Sequence, residues 1–228
     1  MFQVILYSLS LILLRTFALV MLRMDIRRHA ALPAGPLIFV ANHPSATDGF
    51  LIHMVSNSQL NVLITAKAFT VPVFGWFLRK IQEIPVPLEQ GSAALEQARQ
   101  YLEKGKSVAI FIEGHVSPAE GGFLKPRSGA AILALSSGIP VVPVGISLHR
   151  HKCLTIRSKI TGGVESEAPW YLRGPYSMTV GRPTRFEGDV EDREHVRRIS
   201  ETIMEKIKSL AVESERRMKE ARLVSSPL

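Results

Sequence analysis

Short continuous apolar runs alternate along this chain with stretches in which apolar residues recur every three or four positions. Two such runs, 37–41 and 107–112, predict buried strands, because a strand covered on both faces reads as unbroken apolar sequence. A third run, 139–148, predicts a further strand. Two stretches have helical spacing and end at glycines, which stop helices: 92–104 and 128–137. Strands that alternate with helices favour an α/β domain with a partly parallel sheet.

The second half of the chain adds three expectations. Pro140 and Pro143 predict that the strand over 139–148 lies at a sheet edge or has an interrupted ladder. The polar, basic and glycine-containing segment 149–174 is the best candidate for a long mobile excursion. A strand over 176–180 precedes a tail at 190–222, where apolar residues form one helical stripe.

The first 22 residues are almost continuously apolar, interrupted by Arg15, and three arginines follow at 23, 27 and 28. We predict a helix that lies in the cytoplasmic leaflet with Arg15 extended to the headgroups. An ordinary buried helix and a single span with its basic flank inside remain alternatives. We expect the chain to divide into a membrane-associated helix at 1–30, a central α/β domain at 31–190 and a C-terminal amphipathic helix and tail at 191–228.

Composition changes the expected partners. The chain has 228 residues, is 46% hydrophobic and carries a formal net charge of +8. Basic charge on an apolar chain suggests an anionic partner, and with only 7% aromatic residues and no basic–aromatic pattern we favour membrane lipid and expect no nucleic acid. Cys153 is the single cysteine, which excludes an intrachain disulfide and favours a reducing compartment.

Candidate chemistry lies directly after two of the predicted strands. His43 follows the first strand, with Asp48 five positions later, which is an arrangement for a general base and the carboxylate that orients it. Glu113 and Gly114 follow the strand over 107–112, at the strand ends where α/β sheets bind ligands. Taken singly, each of these residues also fits a capping, turn or surface role.

Two cations precede the helix over 128–137. Lys125 and Arg127 beside a helix N-terminus are a candidate anion site, and a solvated charge pair is the alternative.

From about 37 to 186 the chain resembles the 1-acyl-sn-glycerol-3-phosphate acyltransferase family of glycerolipid synthesis. The resemblance rests on four blocks in the family's order: Asn-His-Pro-Ser-Ala-Thr-Asp at 42–48, Phe-Gly-Trp at 74–76 with Ile-Pro-Val at 84–86, Phe-Ile-Glu-Gly at 111–114 and Ile-Pro-Val-Val-Pro-Val at 139–144. The first and third blocks together are the most specific. The resemblance implies a glycerol-3-phosphate acyltransferase-like α/β fold, with a mixed, partly parallel sheet flanked by helices.

The resemblance also implies a function. A fatty acyl group would move from a thioester of coenzyme A or acyl carrier protein to a lipid hydroxyl, in phospholipid biosynthesis at the cytoplasmic face of the membrane. His43 would deprotonate the hydroxyl, and Asp48 would orient His43. No covalent acyl-enzyme would form, and no metal or resident cofactor would be needed. The Asn42 and Gly114 regions are candidate donors to the thioester oxygen, and Glu113 completes the expected substrate site.

One departure from the family affects the acceptor. The family's third block continues with an arginine that contacts the acceptor phosphate, and Val116 stands in its place. Either other cations hold the phosphate of 1-acylglycerol-3-phosphate, or the acceptor is a different, non-phosphorylated lyso-lipid. The candidate cations are Lys125, Arg127, His115 and Arg79. A non-catalytic lipid-binding protein and a lipid hydrolase remain further alternatives, and the oligomeric state stays open.

Overall fold

The computed structural model describes residues 2–88, 91–159 and 165–224. Six α-helices lie within these ranges: α1 Phe2–Met21, α2 Asp48–Leu51, α3 Phe74–Lys80, α4 Gly91–Glu103, α5 Gly129–Ser137 and α6 Arg193–Val224. The strands are β1 Leu22–Arg28, β2 Ile38–Ala41, β3 Leu60–Thr65, β4 Ile84–Val86, β5 Ser107–Phe111, β6 Val141–Leu148, β7 Leu154–Lys159, β8 Glu165–Trp170 and β9 Gly174–Val180. Three short 3₁₀ turns connect them: Ile52–Val55, Ala66–Thr70 and Arg150–Lys152.

A seven-stranded sheet in the order β1-β9-β6-β2-β5-β3-β4 forms the centre of the fold. Every neighbouring pair is parallel except β6 and β9, which are antiparallel. This arrangement confirms the predicted α/β class with a mixed, mostly parallel sheet. β2 and β5 are adjacent and central, so their carboxyl ends meet at one edge of the sheet.

Helices cover both faces of the sheet. On one face α4, α5 and α6 contribute side chains to a core with Ile38, Val108 and Val141, and the predicted tail stripe is buried there. On the other face α1 and the 3₁₀ turn Ile52–Val55 pack on a core that includes Phe39. Because both faces are covered, the central strands read as the continuous apolar runs from which they were predicted.

Of the two alternatives for the strand at 139–148, the edge position is wrong. The interrupted ladder is confirmed, because β6 pairs with β9 only from Val144 onward and Val141 instead forms an isolated bridge with Thr184. β6 lies inside the sheet between β9 and β2. Pro143 is tolerated because its pairing with β9 begins only at Val144, opposite Val180. The Pro143 carbonyl accepts the Gly181 N–H at 2.8 Å, just beyond the end of β9, so the missing proline N–H falls outside the paired length of that strand.

Two segments differ from the sequence interpretation. The arginine-rich residues after α1, which we interpreted as a basic membrane flank, form the edge strand β1 and pair in parallel with β9. In the expected excursion at 149–174, the described residues form two antiparallel strands, β7 and β8, with Leu154 opposite Trp170. The middle of that segment, 160–164, lies outside the described residues.

Helix α6 crosses β6 at Gly145, where the two backbones come into contact. A Cβ built on Gly145 meets the Ala211 backbone N at 2.1 Å and the Leu210 backbone carbonyl carbon at 2.3 Å. Both contacting atoms belong to the helix backbone, so they cannot move aside as a flexible side chain would. The close approach of α6 to the sheet therefore requires a residue without a side chain at this position.

We predict that Gly145→Ala lowers the free energy of unfolding by about 1–3 kcal/mol, because α6 must lift from β6 to admit the methyl group. Denaturant unfolding in detergent measures the change. Gly91→Ala is the matched control, since a Cβ at Gly91 meets open space. A Gly145→Ala protein as stable as the Gly91→Ala protein would contradict the backbone contact.

Candidate active site

Two adjacent strand ends place the first candidate residues side by side. Ala41 at the end of β2 is in register with Phe111 at the end of β5. The next residues continue level with one another, and the backbone N–H of His43 donates to Oε1 of Glu113 at 3.1 Å. The two predicted polar strand ends therefore form one site at the carboxyl edge of the sheet.

His43 and Asp48 form a hydrogen-bonded pair within this site. Nδ1 of His43 lies 3.1 Å from Oδ2 of Asp48. A carboxylate only accepts hydrogen bonds, so Nδ1 carries the proton and Nε2 is left with its lone pair. The His43 ring stacks on Phe111 with centroids 4.0 Å apart, which fixes its plane, and its side chain keeps 17% exposure.

Asp48 is fully buried, with 0% exposure, and depends on its donors. The Ser45 backbone N–H donates to Oδ2 at 2.7 Å, and the Tyr176 hydroxyl donates to Oδ1 at 2.6 Å. Burial, with the Asp48 charge next to it, holds the pKa of Tyr176 well above its ordinary value, so the hydroxyl stays a donor. Sequence reasoning missed Tyr176, because no local pattern connects it to a residue 128 positions away.

Glu113 organises the backbone around His43. It is buried, and its carboxylate accepts the Ser117 hydroxyl at 2.6 Å and the Leu124 N–H at 2.6 Å in addition to the His43 N–H. The Ser117 N–H in turn donates to the His43 carbonyl at 2.7 Å. These contacts connect the loop after β2 to the loop after β5, so Glu113 holds the frame in which His43 sits.

Asn42 also serves the frame. Its side-chain amide donates to the Ile146 carbonyl at 2.9 Å and accepts the Ile146 N–H at 2.8 Å. Just beyond the end of β2, the Asn42 side chain therefore makes the two hydrogen bonds to β6 that a strand backbone would otherwise make. Its two polar atoms are engaged with Ile146, so the structure gives this side chain a structural contact at the position where we expected an oxyanion donor.

Of the four predicted cationic residues, two lie beside Glu113 and two make contacts elsewhere. Arg127 lies over Gly114, where a Cβ would come within 2.5 Å of its side chain, and its guanidinium is 2.8 Å from Nε2 of His115. These three residues are therefore together beside Glu113. Lys125 instead lines a cleft of about 490 Å³ between the first turns of α5 and α6. Arg79 donates to the Phe69 carbonyl at 2.8 Å and stacks over the Phe69 ring.

A cation that the sequence did not single out completes this edge of the sheet. Arg150 begins the 3₁₀ turn directly after β6, and its guanidinium donates to the carbonyls of Pro118 and Gly122 in the loop after β5. It is half-buried, and electrostatic attraction connects it to Glu113 and Asp48.

The β7–β8 pair closes the site from a third side. The Pro169 carbonyl accepts the Ala46 N–H at 2.8 Å, and the Thr47 hydroxyl donates to the Tyr171 carbonyl at 3.0 Å. The loop that carries His43 is therefore held by the sheet on one side and by the β7–β8 segment on the other. No group of three or more metal-ligating side chains occurs within the described ranges.

The fold and the paired strand-end residues define a class, and comparison with known proteins names it. A family model described as Acyltransferase matches residues 23–147, which is more than half of the chain. The chain therefore belongs to the acyltransferase family.

Curated relatives match about half of the chain. It is 29% identical to a 1-acyl-sn-glycerol-3-phosphate acyltransferase of Pseudomonas aeruginosa, over 54% of this chain and 49% of that protein. It is 31% identical to the chloroplastic 1-acyl-sn-glycerol-3-phosphate acyltransferase BAT2 of Brassica napus, over 53% of this chain and 36% of that protein. A lyso-ornithine lipid O-acyltransferase of Pseudomonas aeruginosa is 30% identical over 55% of this chain and 48% of its own length. The chain thus spans about half the length of such relatives or less.

A solved structure has the same fold. The crystal structure of the 1-acyl-sn-glycerophosphate (LPA) acyltransferase PlsC from Thermotoga maritima superimposes with a TM-score of 0.63 over 98% of this chain and 81% of that one. At 21% identity this match supports the shared fold.

We predict that Glu113→Gln lowers the unfolding temperature, because an amide nitrogen in place of one carboxylate oxygen leaves a buried donor without its acceptor. The loss is about 2 kcal/mol, or about 4–8 °C in a chain of this size. Thermal unfolding in detergent measures it. Glu120→Gln, at an exposed position in the same loop, is the control, and equal unfolding temperatures for the two variants would show that Glu113 does not hold the frame.

Proposed function

We propose that this protein transfers a fatty acyl group from a thioester to the hydroxyl of a lyso-lipid at a membrane surface. The observation that carries the proposal is the His43–Asp48 pair, in which Nδ1 is bound to a buried carboxylate and Nε2 retains its lone pair. The acyltransferase family match and the names of the relatives support the reaction class.

The chemistry follows from that geometry. Nε2 of His43 accepts the proton of the acceptor hydroxyl as the oxygen attacks the thioester carbonyl, forming a tetrahedral intermediate. Asp48 stabilises the imidazolium that results. Collapse of the intermediate breaks the carbon–sulfur bond, and the imidazolium returns the proton to the leaving thiolate. The new ester and the free thiol account for every atom, and no acyl-enzyme is required.

The acceptor we favour is 1-acylglycerol-3-phosphate. The Arg127–His115 pair beside Glu113 supplies cationic and hydrogen-bonding groups next to His43, and two relatives carry that activity in their names. The acyl donor is coenzyme A or acyl carrier protein, and either suits the basic chain. A second candidate acceptor is a lyso-lipid without a phosphate, favoured by Val116 and by the lyso-ornithine lipid relative.

Helix α1 supports a membrane-surface location. Among the described residues one helical segment, Gln3–Met21, is long and apolar enough to cross a bilayer. Tyr7 and Ala18 of α1 are nevertheless both buried against the domain, about 16 Å apart along the helix axis. The Tyr7 hydroxyl donates to Nδ1 of His53 and accepts the Leu60 N–H, each at 3.1 Å. A helix held at both ends lies along the domain.

The outer face of α1 is then free to enter a leaflet. Most of its exposed side chains are large and apolar, and Ser8, Arg15 and Thr16 are exposed among them. Arg15 reaches the headgroups in this arrangement, as long cationic side chains do at interfaces. We propose that the protein binds the cytoplasmic face of the membrane in this monotopic way, which places the site beside its lipid substrate.

We predict that His43→Ala lowers acyl transfer by about 10²–10⁴-fold in a protein that still folds, because the base is lost while the frame held by Glu113 remains. Thiol release from palmitoyl-coenzyme A by purified protein measures the rate, with 1-acylglycerol-3-phosphate or lyso-ornithine lipid as acceptor. His29→Ala is the control, since His29 forms only an exposed pair with Glu213.

The same assay separates the alternatives. Thiol release that needs an added acceptor supports transfer, and the acceptor that works identifies the lipid class. Release without any acceptor would instead indicate a hydrolase. Normal turnover by a folded His43→Ala protein would exclude His43 as the base. If the wild-type protein releases no thiol with any donor and acceptor, a non-catalytic lipid-binding protein is favoured.

We predict that the double variant Leu13→Glu, Val20→Glu is released from anionic vesicles. The two side chains are 72% and 71% exposed on α1, and each contributes about 1.5 kcal/mol when buried in lipid, so the partition coefficient should fall by about 100-fold. Co-sedimentation with vesicles measures it. Val212→Glu is the control, because Val212 is also exposed, at 63%, and lies on α6. Unchanged sedimentation of the double variant would rule out α1 as the membrane contact.

A further inference from the structure

The contacts that Arg150 makes with the protein do not by themselves require a charged side chain. Its guanidinium crosses from the end of β6 into the loop after β5, where it donates to the Pro118 carbonyl and, at 2.9 Å, to the Gly122 carbonyl. Both partners are neutral backbone oxygens. Neutral donors of other residue types satisfy such carbonyls equally well, so these two contacts do not explain a positive charge at this position.

The charge of Arg150 has no direct counter-ion. Among the ion pairs of the described residues, all with nitrogen and oxygen within 4.0 Å, none includes Arg150. The half-buried side chain loses hydration, and burial lowers its pKa, yet the nearby carboxylates of Glu113 and Asp48 favour its charged form. Removing a cation from water without an ion pair costs free energy, which an anionic ligand would recover.

The two carboxylates near Arg150 are already occupied. Glu113 accepts three donors and Asp48 accepts three. Both attract Arg150 through space, but neither forms a direct ion pair with its guanidinium. The loop that receives Arg150, residues 114–124, contains no lysine or arginine of its own, and Val116 lies near its start. Arg150 is a cation that this loop holds near enough to Glu113 and Asp48 to be attracted by both.

We propose that Arg150 binds a phosphate group of the substrate in this site. The proposal rests on the acyl transfer proposed above. A guanidinium has five N–H donors, and the two backbone contacts leave three for a phosphate, whose oxygens it matches in a planar fork. The phosphate belongs either to the acceptor headgroup or to coenzyme A. The Arg127–His115 pair lies at the start of the same loop, where Arg127 packs over Gly114.

The test uses Arg150→Gln and Arg150→Lys in the full-length protein. We expect Arg150→Gln to raise KM about 10- to 100-fold for the phosphate-bearing substrate with a smaller change in kcat, because one charge-assisted contact is lost. A rise in KM for 1-acylglycerol-3-phosphate identifies the acceptor headgroup, and a rise in KM for palmitoyl-coenzyme A identifies the donor. Arg150→Lys keeps the charge and should recover part of the loss. Arg157→Gln, an exposed arginine on β7, is the control.

A binding measurement separates this proposal from the proposed reaction. Glycerol 3-phosphate and coenzyme A, each titrated against the wild-type protein by calorimetry, report phosphate binding without turnover. Binding that Arg150→Gln abolishes supports the site even where no acyl transfer occurs. Equal KM values and equal binding in wild type and Arg150→Gln overturn the proposal, and so does a lower unfolding temperature with unchanged KM, which would assign Arg150 to holding the loop alone.

Discussion

The buried carboxylate of Asp48 is the constraint on which the rest of the site depends. A charge at 0% exposure is tolerable only when donors surround it, and its three donors come from two parts of the chain. The loop after β2 supplies the Ser45 N–H and Nδ1 of His43, and β9 supplies the Tyr176 hydroxyl. The loop after β2 and the strand β9 must therefore be assembled before His43 is oriented. The geometry of the candidate site and native packing therefore depend on the same contacts.

The sheet meets that requirement through the position of β6. Because β6 lies between β2 and β9, the loop with Asp48 comes level with Tyr176 on β9. Asn42 extends the β2–β6 contact past the end of β2. On the face of the sheet that α4, α5 and α6 cover, the backbone of α6 contacts β6 at Gly145. This contact holds β6 in its position between β2 and β9.

Local pattern predicted most of this arrangement. The buried strands, the helix at 92–104 and the meeting of His43 with Glu113 follow from apolar runs and from the geometry of parallel strand ends. Contacts between distant residues were missed, since Tyr176 and Arg150 carry no neighbouring signal. β1 was missed because Leu-Arg-Met-Asp-Ile-Arg-Arg at 22–28 also suits a membrane flank, and only its pairing with β9 decides between the two.

A second histidine–carboxylate pair in the same chain shows what sets the candidate base apart. His53 and Glu83 are 3.1 Å apart and nearly sealed, with side chains 8% and 1% exposed. Both ring nitrogens of His53 are occupied, Nε2 by Glu83 and Nδ1 by the Tyr7 hydroxyl, and burial raises the pKa of Glu83. That pair fastens α1 to the domain. His43 has the same partner type, but its carboxylate occupies Nδ1 alone and its ring stays partly exposed. The presence of a histidine and a carboxylate therefore does not define a base, whereas an unoccupied nitrogen that faces the substrate does.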